Sequence, residues 1–212
     1  MRVVIAGGHG QIALRLERLL ANRGDEPVGL IRNPDHAADL RAAGAEPVYL
    51  DLESCDVAAA AETLAGADAV VFAAGAGPGS GAERKDTVDR AAAVLLADAA
   101  ETVGVRGYVM VSAYGADGYD PTSDDVFQVY LRAKSEADAD LRRRDMDWTI
   151  VRPGGLSNDA GTGRVALGES IPAGKISRDD VAALLVQVLA SPHTAGLQFE
   201  ATAGSEPIAD AV

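Results

Sequence analysis

Two kinds of segment alternate from residue 2 to about residue 153. Arg2–Ala6 (RVVIA) has no polar position after its arginine. It reads as a strand buried on both faces. Residues 11–22 follow with Ile12, Leu14, Leu16, Leu19 and Leu20 at helical spacing. Strands are expected at 27–32, 47–50, 69–73, Gly107–Val111 and 148–151, and helices at 34–43, 56–64, 86–103 and 124–144. Between the fourth strand and its helix, residues 75–81 (GAGPGSG) break both periodicities and predict a loop.

Strict β-α alternation is the signature of a parallel sheet, because parallel neighbours need a crossover. Right-handed crossovers then predict a doubly wound α/β fold of Rossmann type with strand order 3-2-1-4-5-6. The pattern changes after Pro153. Residues 154–174 are rich in Gly, Ser, Asn and Thr, with one short apolar piece at 165–167. A helix is expected at 181–190, capped by Ser177 or Asp179, and a last strand at 197–201. No linker or repeat interrupts the chain. The expectation is therefore one domain over residues 1–212, with residues 1–153 as its cofactor part. The tail, 154–212, is too short for a second core and is expected to form a lid or cleft wall.

Composition narrows the function classes. The chain has 212 residues and a formal net charge of -13, which disfavours phosphate-backbone binding and anionic membrane surfaces. The one basic run, Arg142 to Arg144, is expected to be a solvated helix end. The single cysteine, Cys55, allows no internal disulfide or thiolate metal site, and His9, His36 and His193 have no metal-ligand spacing, so no metal is expected. Residues 1–6 run at once into glycines, leaving no room for a secretory leader. A cytoplasmic protein is expected, monomer or homodimer, working on a small molecule.

The chemistry starts where the first strand ends. Residues 6–13 read Ala-Gly-Gly-His-Gly-Gln-Ile-Ala, with small residues at Gly7, Gly10 and Ala13. Gly7 permits a tight turn, Gly10 lets the backbone approach a pyrophosphate, and Ala13 lets the helix pack on the strand. The N–H groups of the opening helix suit an anion. Residues His9, Gln11 and Ile12 of this turn are candidate cofactor contacts with the glycines. The second strand ends Gly29-Leu30-Ile31-Arg32, with no acid for a ribose 2′-hydroxyl. Arg32 is placed for a 2′-phosphate, so NADP(H) is expected over NAD(H). Asp51, followed by Leu52, either accepts from an adenine amino group or only forms a turn. Small residues at Ala73, Ala74 and Gly75 leave room for adenosine and ribose.

With these residues in place, the chain resembles the atypical NAD(P)H-binding members of the short-chain dehydrogenase/reductase superfamily. These include NmrA-like proteins, flavin/biliverdin-type reductases and epimerase/dehydratase-like proteins. The resemblance covers nearly the whole chain and rests also on Val111-Ser112-Ala113-Tyr114-Gly115, on residues 147–154 (DWTIVRPG) and on residues 176–182 (ISRDDVA). It implies a working set of Ser112, Tyr130 and Lys134, with Lys134 also a cofactor contact and Pro153 beside the nicotinamide. Tyr130 and Lys134 stand at i and i+4, on one helix face. A nearby ammonium is expected to lower the phenol's pKa. Tyr130 would then give a proton to a carbonyl oxygen that Ser112 holds. Tyr114 is a second candidate. The superfamily's upstream Asn is absent, and Asp89 looks like its replacement. The first expectation is an NADPH-dependent reductase of a small carbonyl-like compound. The alternatives are a non-catalytic NADP(H)-binding regulator and a nucleotide-sugar epimerase or dehydratase.

Overall fold

The computed structural model describes residues 1–77 and 79–212. Its first half is built from β1 (Arg2–Ala6), α1 (Gln11–Arg23), β2 (Glu26–Ile31), α2 (Ala37–Ala42), β3 (Glu46–Tyr49), α3 (Val57–Leu64) and β4 (Ala69–Phe72). After the glycine loop come α4 (Ala82–Arg84), a π-helix (Lys85–Ala91), α5 (Ala92–Val103), β5 (Gly107–Val111), α6 (Val126–Leu141) and β6 (Asp147–Pro153). The tail adds β7 (Gly155–Ser157), β8 (Arg164–Gly168), β9 (Lys175–Ser177), α7 (Arg178–Ala190), β10 (Leu197–Ala203), β11 (Glu206–Pro207) and α8 (Ile208–Ala211).

The main sheet has nine strands in the order β11-β8-β10-β6-β5-β4-β1-β2-β3. The expected order 3-2-1-4-5-6 is present within it, all parallel, and the fold is the Rossmann-type doubly wound α/β arrangement. The tail lengthens this sheet: β10 lies parallel to β6, and β8 runs antiparallel to β10. Alternate residues of the strands enter separate cores. Val4, Val70, Tyr108 and Ile150 face α3, α5 and α6 on one side. Val3, Ile5, Val109 and Val151 face α1 and α7 on the other. Burial on both faces explains why these strands read as continuous apolar runs.

Three element boundaries move for local reasons. Asp125 accepts from the backbone N–H groups of Phe127 and Gln128, so α6 begins after it. Ser177 caps α7 by accepting from the Asp180 N–H at 2.9 Å. The expected helix over 86–103 is not uniform: its first part is the π-helix, whose wider turn buries Lys85, Val88 and Asp89. The basic run also departs from expectation. Arg144 is drawn in from solvent, pairing with Asp98, Glu101 and Asp140 to tie α6 to α5. No helix among the described residues is long and apolar enough to cross a membrane.

Candidate functional site

The chain leaves β1 toward β2 and later returns to place β4 on the other side. Such a switch point opens a crevice at the carboxyl ends of the strands. The glycine turn stands in it. Gly7 has φ 78°, and a Cβ there would lie 2.7 Å from the Ala74 Cα. A Cβ on Gly10 would lie 2.9 Å from the Gly7 carbonyl oxygen. The turn therefore needs glycine at both places. Gly10 is the N-cap of α1, with no side chain capping the helix and no acid in its first turn. Its opening N–H groups suit a phosphate.

Two cavities meet at this turn and share His9, Gly10, Ala73, Ala74 and Gly75. The smaller, about 310 Å³, is also lined by Gly7, Arg32, Asp51 and Leu52. The larger, about 1120 Å³, takes in Gln11, Ile12, Asp89, Ser112, Tyr130, Lys134 and Pro153. Every candidate residue from the sequence thus lines one continuous groove.

In the smaller cavity, Arg32 donates to Glu53 at 2.8 Å, and Arg84 donates to the same carboxylate at 2.6 Å. Thr87 adds a third bond at 2.7 Å. The Arg84 hydrogen bond, working against burial, holds the Glu53 carboxyl below its ordinary range. The Asp51 side chain accepts from the Glu53 N–H at 3.0 Å, so it forms a turn at the cavity wall. His9 and His36, 27 positions apart in sequence, stack with ring centroids 3.6 Å apart. His9 also meets Asp39 at 2.7 Å.

In the larger cavity, Lys134 is fully engaged. Its ammonium lies 3.2 Å from the Val111 carbonyl, 3.4 Å from that of Ala74 and 3.3 Å from Asp89. Burial pulls its pKa down, but Asp89, Tyr130 and Asp138 together more than offset this and hold the ammonium above its ordinary range. Asp89 also accepts from the Ala76 N–H, pinning the glycine loop. Gly75 allows this, since a Cβ there would lie 3.1 Å from Asp89.

Tyr130 departs from expectation. Burial pushes its phenol up, and the Lys134 ammonium, 6.0 Å from the ring centroid, only partly opposes this. Burial is the main reason, and the carboxylates of Asp89 and then Asp138 add to it by offsetting the Lys134 field. Ser112 departs as well. Its hydroxyl donates to Asp138 at 2.7 Å, away from the groove. Asp138 is wholly buried and pairs with Arg152 at 2.8 Å, and Arg152 forks onto Asp117 at 2.8 and 2.9 Å. The Tyr114 hydroxyl is held by the Ile171 carbonyl at 2.7 Å.

Sequence reasoning missed Glu53, Arg84, Lys85, Asp138, Arg152 and Arg178. One signal was present: Asp138 follows Lys134 by four residues, so Tyr130, Lys134 and Asp138 share a helix face. Arg84 and Lys85 follow a glycine-rich loop, and no periodicity placed them.

A family model described as NAD(P)H-binding matches residues 7–192. The Bacillus subtilis protein YhfK, named an uncharacterized sugar epimerase, is 37% identical over 100% of this chain and 99% of its own length. The UPF0659 protein YMR090W of Saccharomyces cerevisiae is 32% identical over 98% of this chain and 96% of its own. A solved structure from Bacillus halodurans, provisionally named an NAD-dependent epimerase/dehydratase, superposes with a TM-score of 0.90 at 38% identity. It covers 99% of this chain and 97% of its own. The glycine turn, the switch-point groove and these matches agree, and the chain belongs to the NAD(P)H-binding family of Rossmann-fold proteins.

Proposed function

We propose that the protein is an NADPH-dependent oxidoreductase that reduces a small carbonyl compound, with Tyr130 as proton donor. The observation that carries this reading is Tyr130 itself, seated beside Lys134 in the cavity that continues from the glycine turn. Gly7, Gly10 and the uncapped start of α1 fit a pyrophosphate. Arg32 and Arg84 at one cavity mouth offer two guanidiniums to a 2′-phosphate, which favours NADP(H) over NAD(H). When bound, the reduced nicotinamide supplies the hydride.

The chain's own residues supply the proton and the geometry. A phenol is protonated at neutral pH, and burial shifts Tyr130 further in that direction. It is therefore a donor to a carbonyl oxygen that gains negative charge as its carbon accepts hydride. Lys134 is the candidate ribose contact and braces Tyr130 from the next turn of α6. Asp89 holds that ammonium in place. Ser112 sends its proton to Asp138, so it is a positioning residue of the wall. Gly154, Leu156 and Gly174 close the same cavity from the tail, which gives residues 154–212 their part in shaping the substrate side.

The name of the Bacillus subtilis relative favours a second reading, a sugar epimerase. That reaction starts with a tyrosinate taking a hydroxyl proton, and the buried phenol works against it.

The test is NADPH oxidation followed at 25 °C across carbonyls, quinones and flavins. Tyr130→Phe is expected to lower kcat by about 10²–10⁴-fold. Unchanged turnover in that variant would overturn the mechanism. Tightly retained cofactor with no net oxidation would favour the epimerase, and binding without consumption would favour a regulator.

A further inference from the structure

The larger cavity is charged against the trend of the protein. The chain carries a formal net charge of -13. Yet the lysines and arginines lining this cavity are Lys85, Lys134 and Arg178, against a single carboxylate, Asp89. Asp89 is already paired with Lys134. Arg178 adjoins Asp179, which pairs with Arg15 of α1, so it stands on the side of the glycine turn. Lys85 stands on the other side, with its ammonium 5.3 Å from the centroid of the Tyr130 ring.

Lys85 is 8% exposed. Its ammonium donates to the Gly77 carbonyl at 3.0 Å. Among the described residues no carboxylate lies within 4.0 Å of it. The Gly77 carbonyl and the Tyr130 ring offset part of this buried cation's desolvation, and an anion would offset more. An ammonium has three protons, and the Gly77 bond uses one. The groove here is also apolar where it meets solvent. Val126, Phe127 and Leu156 line it, although they are 43%, 60% and 39% exposed.

From this juxtaposition we infer that the substrate cavity takes an apolar organic anion, with Lys85 holding its carboxylate and the Val126–Phe127–Leu156 rim covering its hydrocarbon body. This rests on the assignment of the same cavity as the substrate site. It adds a substrate class, a carbonyl compound bearing a carboxylate, and a specificity residue that contacts it. Sugars and neutral polyols lack both features.

The experiment titrates the NADP⁺-loaded protein with 2-naphthoate and with the neutral 2-naphthamide. A charge-assisted hydrogen bond at a buried site predicts that naphthoate binds about 10-fold more tightly or better. Lys85→Met is expected to bring naphthoate to within about 2-fold of the amide, leaving amide affinity unchanged. Lys85→Arg keeps the charge and is expected to retain most of the preference. If Lys85→Met weakens both probes and Lys85→Arg restores neither, Lys85 is only a strut for the glycine loop and the inference fails. Equal affinities in the unmodified protein, or no binding of either probe, also overturn it. Turnover is scored separately, with 4-formylbenzoate against its methyl ester. Anion-selective binding with no NADPH consumption keeps the anion seat and removes the reductase. Consumption that is indifferent to charge keeps the reductase and removes the seat.

Discussion

The two ends of the groove use a shared carboxylate in opposite surroundings. At the Arg32 end, Glu53 is held by guanidiniums that remain 55% and 37% exposed. At the Tyr130 end, Asp138 takes Arg152 and Ser112, with all three at 4% exposure or less. A contact at 4 Å is worth about 1 kcal/mol in water and about 4 kcal/mol at an effective dielectric near 20. The exposed cluster is thus weak, which the proposed exchange of its carboxylate for a ligand phosphate requires. The buried cluster is costly to break and serves to fix geometry: it ties β6 and α6 to the Ser112 end of β5.

The sharpest way to break this contrast is to remove one buried partner. Arg152→Leu leaves Asp138 buried without its cation and is expected to cost about 3–5 kcal/mol. Urea unfolding with an unchanged m-value measures it. A loss below about 1 kcal/mol would place this pair in the exposed class.

A third carboxylate extends the comparison to burial with no partner at all. Glu17 of α1 is wholly buried, neither of its oxygens has a hydrogen bond, and burial pushes its pKa up to about 8. It lies behind the glycine turn, 3.2 Å from where a Cβ on Gly8 would stand. The folded pKa lies above the unfolded value of 4.5, so the unfolded chain releases this proton first. Below pH 4.5 the carboxyl is neutral in both states and adds no pH-dependent cost, and stability then falls as pH rises toward 8. At about 1.4 kcal/mol per unit, the loss approaches about 3 kcal/mol by neutral pH. Glu17→Met is expected to flatten this slope and to raise the melting temperature at pH 8 more than at pH 5. Parallel stability curves for the two proteins would show that Glu17 finds a partner.

These buried groups also mark where the sequence stopped being legible. Strand runs such as RVVIA and GYVMV declare two-sided burial, and the glycine spacing declares a phosphate turn. Both depend on local pattern alone. That Tyr130 and Lys134 share one helix face was readable because i, i+4 spacing is local too. The sign of the Tyr130 shift was not. It depends first on burial of the phenol, which is a tertiary property, and then on Asp89, 41 residues earlier, arriving beside Lys134 through a π-helix that periodicity read as ordinary α-helix. Ser112 was legible as a strand-end residue. The direction of its hydroxyl depends on Asp138 and Arg152, which come from two other elements. Strands β8 and β11 escaped notice because an edge of short antiparallel strands shows only a three-residue apolar piece.

At the exposed end the expected effects are smaller and lie in cofactor choice. Arg32→Ala and Arg84→Ala should each weaken NADPH by about 10-fold, the scale of one charge-assisted contact, and leave NADH within about 2-fold. Equal losses for both cofactors would remove the 2′-phosphate assignment. Arg84 is the more informative of the two, because it comes from the far side of the glycine loop and the strand-end argument for Arg32 does not reach it.

Glu53→Gln is the finest probe. It deletes the carboxylate that both arginines share, and stability should change by no more than about 1 kcal/mol, because the cluster is open to solvent. Affinity should move the other way from the arginine variants. Glu53 competes with an incoming phosphate for the same guanidiniums, and its charge repels that phosphate. NADPH is therefore expected to bind a few-fold tighter, with NADH unmoved and the gain shrinking as salt rises. A weaker NADPH complex would mean that Glu53 chiefly holds Arg32 and Arg84 in register. The exposed end would then work as the buried end does, by fixing geometry.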